Sequence, residues 1–146
     1  MGRALIAAVV VVTASLAAAL AAGAATRAGA TKLEAALRGA NERPMAPASN
    51  RGRAELRLNT ATGRVCWEFF LIRIDGKPTQ SHIHVGARGV SGNVVVPLGA
   101  NFKRQGCTTA AKSLVRAIVR KPGAYYVNVH NAKHPAGAMR GQLVRD

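Results

Sequence analysis

The chain is short of acid. Only six of its 146 residues are Asp or Glu, against 21 Lys and Arg, and its formal charge is +15. The six carboxylates are Glu34, Glu42, Glu55, Glu68, Asp75 and Asp146, which leaves little from which to build the paired acids of glycoside hydrolysis. Aromatic residues are scarce too: one Trp, two Tyr and three Phe. Stacking platforms for bases are therefore few, and the 15 arginines are scattered singly, so nucleic acid is not an expected partner. So basic a chain suits an anionic polymer or an extracytoplasmic protein instead. The only two cysteines, Cys66 and Cys107, lie too far apart for a C-x-x-C redox motif or a zinc knuckle. No G-x-S-x-G elbow occurs, and Gly86-x-x-Gly89-x-x-Gly92 lacks the Lys-Ser/Thr and the following helix of a phosphate loop. No catalytic constellation is legible.

What is present begins with one long apolar run. Residues 4 to 22 are almost wholly apolar, Arg3 precedes them, and Ala22-Gly23-Ala24 and Ala28-Gly29-Ala30 both have the A-x-A form. That pattern predicts a signal peptide over residues 1–30, cut near 24 or 30, and a secreted or periplasmic product with no membrane span. The remainder, 31–146, is long enough for one domain with one core. It would still carry 19 basic residues against 6 acidic ones. In an oxidising compartment the even pair Cys66 and Cys107 is expected to form a disulfide. Closing a loop of roughly 40 residues would stabilise the fold by about 4 kcal/mol on the chain-entropy model.

Alternating patterns fill this region. Leu33, Ala35 and Leu37 mark a first strand, and Ala54, Leu56 and Leu58 a second. Asn59 to Gly63 forms a hairpin turn into a third strand, Arg64 to Ile72. There Val65, Trp67, Phe69 and Leu71 share one side and Cys66, Glu68, Phe70 and Ile72 the other, so the strand is expected to be central. Ser81 to Val85, Val94 to Leu98, Ala124 to Asn131 and Ala138 to Val144 are further strands, with a basic loop from Gly99 to Gly106. One helix interrupts them: Leu114, Val115, Ile118 and Val119 share a face, Thr109 could cap it, and Pro122-Gly123 stops it. Seven or eight short strands and one short helix predict an all-β, antiparallel Greek-key β-sandwich, immunoglobulin-like or superoxide-dismutase-like.

Two strands carry the candidate chemistry. In Ser81-His82-Ile83-His84-Val85 the two imidazoles project to one side, because residues i and i+2 of a strand share a face. Tyr126-Val127-Asn128-Val129-His130 answers with a third. Either these rings form a hydrogen-bonded polar cluster with Asn128, Ser81 or the backbone, or His82, His84 and His130 ligate one copper or zinc ion. Asn128 and Arg140 are the candidate supporting residues. Arg140 is expected to stack on an aromatic ring or pair with Glu68, with anion binding as the other option.

The order of these motifs resembles the CHRD domain, the module named for chordin and found also in bacterial secreted proteins. The resemblance rests on Leu33-x-x-x-Leu37-x-Gly39-x-Asn41-Glu42, on His82-Ile83-His84-Val85-Gly86, and on Gly92-x-Val94-Val95-Val96-x-Leu98. It continues through Tyr126-Val127-Asn128-Val129-His130 and Pro135-x-Gly137-x-Met139-Arg140-Gly141-Gln142-Leu143. Ala138 and Met139 stand where members often carry an acidic residue and Ile. The resemblance implies a β-sandwich acting as a binding or structural module, in a small exported member of the bacterial type. Chordin's role in binding bone morphogenetic proteins does not carry over to a lone domain. The H-x-H strand is also similar to that of copper,zinc superoxide dismutase, but the bridging histidine and acid-containing zinc loop of that enzyme have no counterpart here, so dismutase activity is not expected.

Overall fold

The computed structural model describes residues 29–146. The expected signal segment therefore lies outside the described residues, apart from Gly29 and Ala30. The regular structure of the described chain is mostly antiparallel strand: β1 (Thr31–Arg38), β2 (Arg51–Asn59), β3 (Arg64–Arg73), β4 (Pro78–Val85), β5 (Val94–Pro97), β6 (Gln105–Thr109), β7 (Tyr125–Asn131), β8 (Met139–Gln142) and β9 (Val144–Arg145). One α-helix, α1 (Lys112–Arg120), sits between β6 and β7. Among the described residues the all-β fold with one short helix thus forms as expected. Its strands belong to a single curled sheet, in the order β5-β4-β7-β8-β1-β2-β3-β6, with β9 pairing to β1 off this path.

One side of the sheet is the apolar core. Leu33, Ala35 and Leu37 of β1, Ala54, Leu56 and Leu58 of β2, and Val65, Trp67 and Phe69 of β3 are buried there, as their alternation requires. Ile83, Val127, Val129 and Met139 join them from the other half of the sheet. Val115 and Ile118 of α1 are buried against the same cluster, which accounts for the apolar face of that helix.

The two ends of the strand order are tied together by consecutive chain. Leaving β5, Leu98 N–H donates to the Ser81 carbonyl at 3.0 Å and Phe102 N–H to the Thr79 carbonyl at 2.8 Å, both on β4. Arg104 carbonyl then accepts from Phe69 N–H at 2.8 Å, on β3. The stretch read as a basic loop is therefore a strap from one end of the sheet to the other, and Phe102 sits 5.4 Å from Phe69, centroid to centroid.

Several sequence expectations need correction. Gln105–Thr109 is a strand, not loop and helix start, and its lack of apolar alternation follows from its place at the end of the sheet order, paired only with β3. Thr109 caps nothing: α1 begins at Lys112 behind Ala111, which makes no side-chain cap. β3 is buried on one side only, with Cys66, Glu68 and Phe70 half-exposed. The strands buried on both faces are β7, where Tyr126, Val127, Asn128 and Val129 are all buried, and β8, where Met139, Arg140 and Gly141 are. The last strand breaks at Leu143, which turns into the core between β8 and β9.

Cys66 and Cys107 face one another in register across β3 and β6 and are joined by a disulfide. The expected bond therefore fastens β6 to its sole ladder partner.

Candidate functional site

The second face of β4, β7 and β8 is a polar layer. Register places His82 opposite Asn128 and Asn128 opposite Arg140, in one row across the three strands. His84, Tyr126 and Gln142 form the next row, and Gln80 with His130 another. Because paired residues in an antiparallel ladder share a face, all of these side chains rise on the side away from the core. A register shift between β4 and β5 falls at His84 and leaves Val95 without an opposite number.

Loops roof this layer. Arg140 Nε donates to the Asn41 carbonyl at 2.6 Å and Nη1 to the Val90 carbonyl at 3.0 Å, so Arg140 holds two loops at once. Tyr126 hydroxyl accepts from Gly92 N–H at 3.2 Å. Tyr126 is sandwiched: the Arg140 guanidinium carbon lies 4.7 Å from its ring centroid, and the His84 ring stacks on it at 4.8 Å, tilted by only 9°.

The three expected histidines come together. His82 Nδ1 lies 3.2 Å from His130 Nε2, and one nitrogen from each of His82, His84 and His130 falls within a set no wider than 4.8 Å. Ligands about 2.0–2.1 Å from a tetrahedral zinc stand about 3.3 Å from one another, so the closest pair already has a ligand spacing. The set as a whole, up to 4.8 Å wide, is looser than that spacing.

Backbone carbonyls fix which nitrogens are free. His84 Nδ1 lies 2.8 Å from Gly92 O, and His130 Nδ1 lies 2.9 Å from Pro135 O. A carbonyl only accepts, so each neutral ring carries its proton on Nδ1 and presents a lone pair on Nε2. His130 Nε2 then accepts from His82 Nδ1–H. His84 Nε2 is buried and has no hydrogen-bond partner among the described residues. Leaving a buried acceptor unpaired costs about 1–3 kcal/mol. Burial, followed by the neighbouring His130 and His84, pulls the His82 pKa down from 6.5 to about 4. Burial likewise lowers that of His130, against a smaller opposing effect of the Pro135 carbonyl. Both rings are thereby held neutral and able to ligate at neutral pH.

The expected supporting residues are in place, and Arg140 stacks on an aromatic ring as expected, but the ion pair and the Asn128 contacts differ. Arg140 pairs with Glu42 instead of Glu68: Nε lies 3.6 Å from Glu42 Oε2 and both side chains are buried. Glu68 sits on β3, opposite Glu55 on β2 and Gln105 on β6. Burial outweighs the attraction of Arg140 and raises the Glu42 pKa from 4.5 to about 7. Asn128 is buried beside His82, but the imidazoles bond to backbone carbonyls and to each other, and its Oδ1 has no partner among the described residues; Ser81 Oγ has none either. Sequence reasoning also missed an anchor under the site. His134 Nε2 donates to Asp75 Oδ2 at 2.9 Å, and Asn50 Nδ2 donates to Asp75 Oδ1 at 2.6 Å. Hydrogen bonds from Asn50 and His134 hold the Asp75 pKa down at about 2. This anchors the 132–137 loop, whose Pro135 carbonyl orients His130.

A curled antiparallel sheet with one apolar face and one loop-roofed polar face bearing three histidines defines a small β-module. The CHRD domain model matches residues 33–143, and the chain belongs to that family. The match runs from β1 to the turn after β8, and so takes in the whole polar layer. No curated protein and no solved structure matches the chain.

Proposed function

We propose that the chain is an extracytoplasmic CHRD module that holds a single copper or zinc ion on His82, His84 and His130. The observation that carries this reading is the state of His84. Its Nδ1–H is tied to the Gly92 carbonyl, so its Nε2 lone pair is buried and without a donor, on a ring clustered with those of His82 and His130. A cation is the partner such a lone pair lacks, and carbonyl-oriented imidazoles are how proteins prepare metal ligands. His130 is oriented in the same way by Pro135, and His82 supplies Nδ1 once its proton moves to Nε2. Three imidazoles suit copper or zinc and leave a fourth position open. The disulfide and the apolar N-terminal run support an oxidising, extracytoplasmic setting.

Native mass spectrometry after loading with copper or zinc tests this. A one-metal mass shift at micromolar metal is expected, abolished by His84→Ala. Relative to each protein's own unfolding in EDTA, wild type gains about 2.7 kcal/mol at metal concentrations 100-fold above Kd, and His84→Ala gains nothing. Absence of a metal adduct in the wild-type protein would refute the reading.

A further inference from the structure

Beyond the histidines, the polar layer ends in a second, separate cavity. It encloses about 100 Å³ between the 39–43 loop, the 86–92 loop and β8, and Asn41, Arg43, Arg88, Arg140 and Gln142 line it. Tyr126 stands between Arg140 and His84, so this cavity is not part of the histidine cluster. A water occupies about 30 Å³ of liquid, so the space holds about three waters or one compact polyatomic ion.

Three guanidinium groups meet here with donors to spare. Arg140 is 4% exposed, yet its Nη2 is buried and has no hydrogen-bond partner among the described residues. Arg43 uses Nη1 on the Glu42 carbonyl at 2.7 Å and on the Ala40 carbonyl at 3.4 Å, which leaves its Nη2 uncommitted. That Nη2 lies 3.8 Å from where a Cβ on Gly89 would stand, so the Arg43 fork reaches the Gly89 side of the cavity. Arg88 has no hydrogen-bond or ion-pair partner among the described residues. The other lining amides are already used: Asn41 Nδ2 donates to the Arg140 carbonyl, and Gln142 Nε2 to the carbonyls of Gly86 and Gly123.

The counter-charge is incomplete. Glu42 is the carboxylate next to Arg140, and with its pKa at about 7 it is only part-ionised at neutral pH. Three guanidiniums against at most one carboxylate leave the cavity net positive. Unused N–H donors around a small space, those of buried Arg140 and of the exposed Arg43 and Arg88, are the arrangement that guanidinium forks make for a tetrahedral oxyanion.

We propose that the cavity between Arg43, Arg88 and Arg140 binds a phosphate or sulfate group, either as the free ion or at the end of an anionic polymer. The small volume admits the oxyanion itself and keeps any attached sugar or chain outside.

The test is an NMR titration of the full chain with inorganic phosphate and with sulfate, at ionic strength held constant with sodium chloride. Saturable shifts are expected at the amides of Gly89 and Gly141 and at the Arg140 guanidinium. Arg88→Glu should weaken binding at least roughly tenfold, as expected from removing one charge-assisted contact and adding a repulsive one. Arg116→Glu, on α1, makes the same change in net charge and should leave the affinity unaltered. A sulfated oligosaccharide that competes with phosphate identifies a polymer-borne group; saturation by phosphate without such competition identifies the free ion. Shifts that never saturate, or equal weakening in Arg88→Glu and Arg116→Glu, would overturn the proposal.

Discussion

Pro135 carbonyl oxygen accepts from His130 Nδ1–H at 2.9 Å, and it sits in a loop that the neighbouring His134 pins to Asp75 at 2.9 Å. Two bonds thus connect a turn after β3 to the orientation of a ring on β7. Replacing His134 by Ala frees the loop without touching the three candidate ligands. Copper or zinc affinity should then fall about 10–100-fold, the usual cost of losing support behind a ligand. Competition titration against a chromophoric chelator measures it, and unchanged affinity would show that the loop anchor does not orient His130.

Glu42 and His82 titrate with opposite consequences for stability. Folding raises the Glu42 pKa from 4.5 to about 7, so the folded state holds the extra proton between these values. Its contribution is complete below about pH 4.5 and is lost as pH rises through about 7. Folding lowers the His82 pKa from 6.5 to about 4, so its contribution is complete above about 6.5 and is lost as pH falls through about 4. In wild type the two partly cancel. Glu42→Gln removes one of them, so urea unfolding in EDTA should show the variant gaining on wild type by up to about 3 kcal/mol between pH 4.5 and 8. A constant gap across that range would contradict the assignment.

Reduction of Cys66–Cys107, or Ser at both positions, opens a loop spanning 41 residues of separation. The chain-entropy model gives a loss of about 4 kcal/mol. The loss should be read as a lowered unfolding midpoint in denaturant. Amide exchange should quicken first in Gln105–Thr109, because β6 is bonded in ladder fashion to β3 alone.

Gly141 lies where β8 passes β1, and a Cβ there would collide with the Ala36 carbonyl. Gly141→Ala should therefore cost about 1–3 kcal/mol by overpacking. It should also disturb Arg140, one residue away, and with it the Tyr126 stack. Thermal unfolding and the NMR shifts of the Tyr126 ring report the two effects separately.

Local periodicity carried much of this structure. Period-2 alternation places Leu33 to Leu37, Ala54 to Leu58 and His82 with His84 on their faces, because a strand leaves no other choice. The helical face of Val115 and Ile118 was legible for the same reason. What could not be read is what closes over long separations. Arg140 finds Glu42, 98 residues earlier in a loop, because the sheet order puts β8 beside β1. Glu68 looked equally available in sequence but lies across β2 from that position. The carbonyls of Gly92 and Pro135 carry no side-chain signal at all, yet they decide which histidine nitrogens are free. Gln105–Thr109 escaped because a strand at the end of the sheet order needs no apolar alternation.

The strap from Leu98 to Arg104 has a consequence for how such a protein survives in bulk. A row of unpaired backbone N–H and C=O groups is a template on which another chain can add a strand and start an aggregate. By bonding to Ser81 and Thr79 on one side and to Phe69 on the other, the strap takes up backbone groups of β4 and β3 that lie beyond the short end strands β5 and β6. Substitutions that loosen it, such as Phe102→Ala, would then show themselves as fibrils or precipitate during storage before they register as a loss of ligand binding.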